Sequence, residues 1–338
     1  FQAVPRSPSA LQSAAAATVA AARAARQMNA IRTMGKWYHK PRVLTVPRRA
    51  GLTGTSERIS PMDETRSLRD KTVLVTGASR GIGKAIALRA AQDGANVIIA
   101  AKTTTAHAKL PGTIGSAAEE IEQAGGQALA VKTDIRFEDQ VAAAIEQGVE
   151  KFGGLDIVVN NASALGLTPL LETTPKMYDR MQDINARGSY MTTQLAMSHL
   201  LEADNPHVLN ISPPLNMNPK WFAGHTAYTL SKYAMSVWVL GLSAEFAENG
   251  VAFNALWPKT AIATAAVRNL LGGEKVIAAS RQPAIMGDAA WAVLTRDSRA
   301  CTGNFLVDEE VLAEEGETDF DKYAVVPGTP LYPDFFLD

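Results

Sequence analysis

Three observations in the 338-residue sequence predict an α/β fold, a doubly wound and mainly parallel sheet in a single domain. From about residue 70, short β-branched runs alternate with amphipathic stretches of helical length. The runs Val73-Leu-Val75, Val97-Ile-Ile-Ala100 and Ile157-Val-Val159 are apolar without alternation, as strands covered on both faces require. A glycine-rich turn joins the first run to the first amphipathic stretch.

Taken in order, strands are predicted over Thr72–Val75, Asn96–Ala100, Ala128–Lys132, Asp156–Val159, His207–Ile211, Ala252–Trp257 and Asn304–Val307. Helices are predicted over Ile82–Gln92, Ser116–Gln123, Glu138–Phe152, Lys176–Leu201, Thr226–Glu248 and Ala284–Leu294. No internal repeat interrupts this alternation. The link Lys102–Gly115 is longer than most strand–helix connections, which predicts an irregular or functional loop. An acidic stretch, Asp308–Glu317, precedes a tail of Pro and aromatic residues ending Leu331-Tyr-Pro-Asp-Phe-Phe-Leu-Asp338, predicted to dock without regular structure. The expected organisation is a basic extension over residues 1–64, the α/β domain over 65–320 and the irregular tail over 321–338.

The net charge of −1 hides two unlike parts. Nine of the 33 basic side chains (Arg6, Arg23, Arg26, Arg32, Lys36, Lys40, Arg42, Arg48 and Arg49) lie in residues 1–56, which contain no acid. That leaves 24 bases against all 34 acids, a net of −10 for the rest. An acidic body with 7% aromatic residues excludes nucleic acid as the expected partner, because phosphate neutralisation needs clustered Lys and Arg. A single cysteine, Cys301, excludes an intrachain disulfide framework and multi-cysteine metal sites. His39, His107, His199, His207 and His225 show no ligand spacing, so no metal is expected. No run of 18 strongly apolar residues predicts a membrane span. The Arg- and Ala-rich, acid-free segment has the composition of a transit peptide, and the expected location is the mitochondrial matrix. The C-terminal residues are not a peroxisomal tripeptide, which leaves the N-terminal address. The alternative is that residues 1–56 dock onto a neighbour in a larger complex.

Two motifs carry chemistry. Thr76-Gly77-Ala-Ser79-Arg80-Gly81-Ile82-Gly83 follows a strand and opens a helix. Glycines there let the backbone turn tightly and approach a pyrophosphate seated on the helix N-terminus. The second strand ends in Ala101-Lys102-Thr103 with no carboxylate to hold ribose hydroxyls. Lys102 and Arg80 together favour a 2′-phosphate, hence NADP(H) rather than NAD(H), unless both are solvated surface charges. Tyr228-Thr-Leu-Ser-Lys232 stands near the start of a long helix, where residues i and i+4 share a face. A Lys ammonium beside a phenol favours the phenolate and brings its pKa toward neutrality, although the spacing alone also fits a chance surface pair.

Together these motifs resemble the short-chain dehydrogenase/reductase family, over about residues 70–338. Asn160-Asn161-Ala162 stands where the family carries N-N-A-G, with Ser163 replacing the glycine, and Asn185-Ala-Arg-Gly188 stands where its catalytic Asn lies. The resemblance implies a Rossmann-type sheet of order 3-2-1-4-5-6-7 and an oxidoreductase interconverting alcohol and carbonyl. It assigns proton transfer to Tyr228, support of that phenol and of the nicotinamide ribose to Lys232, and a water relay to Asn185. It adds Asp134, Asn161, Ala162 and Pro258 to the cofactor contacts. The usual catalytic serine position is occupied by Pro213, so Ser212, one residue earlier, orients the carbonyl or merely caps a turn. Lys259 replaces a usual glycine and is expected near the nicotinamide, and Trp221, Phe222, Trp257 and Met217 flank an apolar pocket. The expected partner is a small carbonyl or alcohol substrate, lipid-like in the narrower reading, with a homo-oligomer implied by the family. The competing reading is an accessory subunit of a mitochondrial complex that keeps the fold, with little catalysis.

Overall fold

The computed structural model describes residues 66–107 and 110–338. The predicted extension over residues 1–64, with its address and docking role, lies outside the described residues. The strands are β1 (Thr72–Thr76), β2 (Asn96–Ala101), β3 (Gln127–Lys132), β4 (Ile157–Asn160), β5 (His207–Ile211), β6 (Ala252–Trp257) and β7 (Phe305–Val307). They form one parallel sheet of order β3-β2-β1-β4-β5-β6-β7, the order the sequence predicts. The order reverses between β1 and β4, which opens a crevice at the carboxyl ends of the strands.

The helices are α1 (Gly81–Gln92), α2 (Ile114–Gln123), α3 (Glu138–Phe152), α4 (Pro175–Met181), α5 (Ser189–Leu200), α6 (Thr226–Glu245), α7 (Ala284–Leu294) and α8 (Asp308–Glu314), besides short helical turns after β6. Local chemistry sets their ends. Thr113 and Ser116 form a reciprocal capping box on α2. Glu138 and Asp139 oppose the dipole at the start of α3, and Gly153 ends it in a left-handed conformation. Alternate residues of β1 feed opposite layers. Val73 and Val75 pack with Ile86, Ile121 and Ile285, whereas Leu74 packs with Ile98, Ile145 and Val158. Burial on both faces explains the unbroken apolar runs.

One stretch differs from expectation, and another takes a form the sequence reading left open. The predicted helix Lys176–Leu201 is three pieces, α4, a π-helical turn Gln182–Gly188 and α5. The acidic stretch begins as α8, with Asp308, Glu309 and Glu310 in its first turn, where acidic side chains oppose the helix dipole. No described helix is long and apolar enough to cross a membrane.

Candidate active site

The glycine turn is stitched to the end of β4. Buried Thr76 Oγ1 accepts the amide N–H groups of Asn161 and Ala162, each at 3.0 Å, and donates to the Val159 carbonyl. Asn161 Nδ2 returns a bond of 2.8 Å to the Thr76 carbonyl. Gly77 and Gly81 hold φ of 71° and 59°, in the left-handed region that favours glycine. A Cβ on Gly83 would collide with the Asn161 amide. Arg80 stands at the N-cap of α1 and offers no side-chain cap, so the first N–H groups of the helix face the crevice uncapped. An uncapped helix start behind a glycine turn fits a dinucleotide pyrophosphate. Ser79 is buried within the turn and Ile82 is half-buried.

The two predicted phosphate cations have different fates. Arg80 spends its guanidinium on the loop after β2, donating to the carbonyls of Pro111 (3.0 Å) and Gly112 (2.7 Å), and partial burial lowers its pKa. It works as a strut for the long Lys102–Gly115 loop. Lys102 stays half-exposed at the end of β2, 3.5 Å from Asp134 Oδ2. Asp134 also takes a two-nitrogen grip from Arg136, which the motif reading missed. Burial pushes the Asp134 carboxyl up, but bonds from Arg136 and the charges of Lys102 and Arg136 outweigh it and hold the group below its ordinary value.

Tyr228 and Lys232 lie one turn apart on the inner face of α6, 6% and 3% exposed. The ammonium donates to the Ile211 carbonyl at 2.8 Å and stands 5.5 Å above the Trp257 ring. Burial lowers the Lys232 pKa to about 7, against an opposing pull from Asp334. Burial, then the Asp334 charge, raises Tyr228 above its ordinary value. The expected depression of the phenol is therefore not found: dehydration and the Asp334 charge both favour the neutral phenol.

Asn185 is fully buried in the π-helical turn. Its amide accepts the Ala164 N–H (2.7 Å) and donates to the Ala164 carbonyl and to Ser231 Oγ, both at 2.9 Å. The side chain expected in a water relay thus clamps the loop after β4 onto α6. Ser231 lies inside the Tyr–Lys motif, three residues after Tyr228, and sequence reasoning overlooked it. A buried ladder reinforces the clamp: Asn160 donates to Thr193 and Asn210, and Asn210 donates to the Met235 carbonyl of α6.

Ser212 is wholly buried, and its Oγ has no hydrogen-bond partner among the described residues. An unpaired buried hydroxyl is costly, and the Ser212 side chain caps no turn among the described residues. Pro258 follows β6 directly. Lys259, expected beside the nicotinamide, instead pairs with Glu309 at 2.7 Å, because α8 brings a carboxylate alongside. His225 is the N-cap residue of α6, and its Nδ1 bonds Thr229 Oγ1 at 3.0 Å. Trp221, Phe222 and Trp257 join one aromatic cluster around Tyr233 and Phe336, whereas Met217 is exposed. The tail also brings Asp334 close enough to act on Tyr228 and Lys232, and burial raises its own pKa to about 7. The tail was expected to dock, but no role was foreseen for Asp334 or Phe336 within it.

The short chain dehydrogenase family profile matches residues 71–274. Hydroxysteroid dehydrogenase-like protein 2 of Danio rerio is 58% identical over 82% of this chain, which spans 66% of that protein's length. A crystal structure of a short chain dehydrogenase from Mycobacterium thermoresistibile is 50% identical over 80% of this chain and 96% of the other, with a TM-score of 0.76. More distant structures hold either cofactor. NADP is present in a metagenomic short-chain oxidoreductase, 25% identical over 71% of this chain and 97% of the other, TM-score 0.58. NAD is present in carveol dehydrogenase from Mycobacterium avium, which shares the fold at 20% identity over 72% of this chain and 97% of the other, TM-score 0.63. The glycine turn, the buried Tyr–Lys pair and these likenesses converge on one conclusion: the chain belongs to the short-chain dehydrogenase/reductase family, a family of oxidoreductases.

Proposed function

We propose that the chain interconverts an alcohol and a carbonyl group on an apolar, lipid-like compound, with NADP(H) as its cofactor. The observation that carries this reading is the burial of Tyr228 and Lys232 on one face of α6, with Lys232 fixed to the end of β5. The uncapped start of α1 would hold the pyrophosphate, Lys102 the 2′-phosphate, and Lys232 the nicotinamide ribose. When bound, the cofactor supplies hydride donor and acceptor chemistry.

The residues of this chain supply the rest. Burial keeps the Tyr228 phenol protonated, so it is a proton donor to a carbonyl oxygen during reduction. The Lys232 ammonium offsets the negative charge left on the phenol, and in the oxidation direction the phenolate takes the proton back. Ser212 Oγ, unpaired and buried, is available to orient the substrate oxygen. Asn185 keeps Ser231 and the first turns of α6 in register with the loop after β4. The Phe336 ring beside Tyr228, itself packed on Trp257, favours an apolar substrate.

The test is a screen of aldehydes, ketones and alcohols followed by NADPH and NADH absorbance, with Tyr228→Phe as control. Turnover that falls at least about 100-fold in Tyr228→Phe, with NADPH affinity unchanged, is the expected result. Equal turnover by the variant overturns the assignment. The acid-free composition of residues 1–56 supports delivery to the mitochondrial matrix, which fractionation of cells expressing the full chain tests.

A further inference from the structure

The segment Tyr332–Asp338 folds back across the face that carries Tyr228, and it is tied down on both sides of Phe336. Before it, the Ala261 amide donates to the Tyr332 carbonyl (2.8 Å), the Asp334 amide to the Lys259 carbonyl (3.1 Å), and the Trp257 indole to the Phe335 carbonyl (2.9 Å). After it, Asp338 pairs with Lys220 at 2.6 Å and accepts from Asn216 at 2.9 Å. Between these anchors Phe336 is 1% exposed and holds φ of 73°, a left-handed conformation that bulky side chains adopt only when their surroundings enforce it. Its ring lies 6.4 Å from the Tyr228 ring, 5.4 Å from Tyr233, 5.8 Å from Trp257 and 5.9 Å from Trp221.

These contacts put an aromatic side chain, contributed from over a hundred residues later in the sequence, against the residue assigned to proton transfer. Interiors packed in this way have no spare volume for another ring. We infer that Phe336 is a specificity-determining residue that sets the width of the group admitted beside Tyr228, so that the site takes slim, unbranched carbonyl compounds and rejects fused-ring ones. The inference rests on the alcohol–carbonyl reading above and narrows it. A fused-ring compound brought up to Tyr228 on this side meets the Phe336 ring, whereas a single hydrocarbon chain is narrower. Removing that ring leaves an apolar cavity of the kind that stays dry and binds apolar guests.

The experiment uses the full chain with saturating NADPH, octanal as the slim probe and androstanedione as the fused-ring probe. Wild type is compared with Phe336→Ala and with Phe336→Leu, which keeps apolar packing at the position. The ratio of kcat/KM for androstanedione to that for octanal rises at least about tenfold in Phe336→Ala and about threefold in Phe336→Leu. A ratio within about twofold of wild type in a variant with native circular dichroism overturns the inference. If Phe336→Ala does not fold, Phe336→Leu carries the comparison. If no variant turns over either probe, the alcohol–carbonyl reading has failed, and the wall is read by binding instead. Saturable quenching of tryptophan fluorescence by androstanedione, gained on substitution, then sustains the wall, and no gain overturns it.

Discussion

The Lys232 ammonium spans from α6 to the Ile211 carbonyl, 2.8 Å away at the end of β5, and so ties the helix bearing Tyr228 to the sheet through its own charge. Few water molecules are left to solvate that charge, and its pKa falls to about 7. Asp334 is the titratable group whose charge acts on it, in the opposite direction. Only the ammonium form offsets a phenolate or attracts a phosphate-bearing cofactor. The kcat/KM for NADPH, which reports ionisations of the free protein, is therefore expected to fall as pH rises through about 7. Initial rates from about pH 5.5 to about pH 9 check this, and a flat profile contradicts it.

Asp334 moves the other way. Its folded pKa of about 7 lies above the ordinary 3.8, so between these values the folded chain holds a proton that the unfolded chain has released. Stability from this group is complete below the lower value and is lost as pH rises toward the upper one. Asp334→Asn copies the neutral acid, and its Oδ1 can still accept the Phe335 amide that Asp334 holds at 2.7 Å. The expected gain in Tm over wild type grows from about pH 4 to about pH 7 and then levels off, as thermal melts across that range would show.

Asn185→Ala leaves the Ala164 N–H and carbonyl without partners in a buried setting. Orphaned groups of this type cost about 3 kcal/mol together, against about 1 kcal/mol for Ser231→Ala, which removes one hydroxyl. Urea unfolding separates the two. Loss of α6 registry is expected to lower kcat for Asn185→Ala more than it raises KM.

Gly83→Ala drives a methyl into the Asn161 amide that braces the glycine turn. NADPH binding weakens by more than about tenfold, and Asn161→Ala in the same chain recovers part of that loss by removing the obstacle. A double-mutant cycle by calorimetry gives a coupling of about 1 kcal/mol or more. Strict additivity contradicts the contact.

Lys102 is the half-exposed cation at the end of β2, whereas Arg80 is occupied by loop carbonyls. Lys102→Ala is expected to lower the preference for NADPH over NADH about tenfold, or about 1.4 kcal/mol, while NADH affinity stays constant. Affinities for both cofactors by fluorescence titration decide it.

The strands were legible because apolar β-branched runs announce sheet burial, and β5 and β6 begin and end where the sequence predicts. The break in the helix before and after Asn185 was not, since amphipathic spacing continues through Gln182–Gly188 and the π-helical turn is accompanied by tertiary bonds to Ala164 and Ser231. Tyr228 and Lys232 were legible from spacing, but the direction of the phenol's shift was not, because burial enters only with the fold. Arg80 shows the same limit: its type suggested a phosphate, and its carbonyl partners lie about thirty residues on. Asp334 and Phe336 belong to a tail without periodicity, where only three-dimensional contact reveals a role.

The docking of that tail also orders events in time. While the chain is being synthesised, β1 to β6 and the Tyr228 helix emerge well before Phe336, so a sheet can assemble around a site whose last wall does not yet exist. During that interval Trp221, Tyr233 and Trp257 lack the ring that covers them, leaving a sticky aromatic surface on a nascent intermediate. Folding of the domain therefore has two distinct stages, an open-sided one and a closed one. Cleavage that frees Phe336 from Trp221, Tyr233 and Trp257 is expected to return the folded domain to the first.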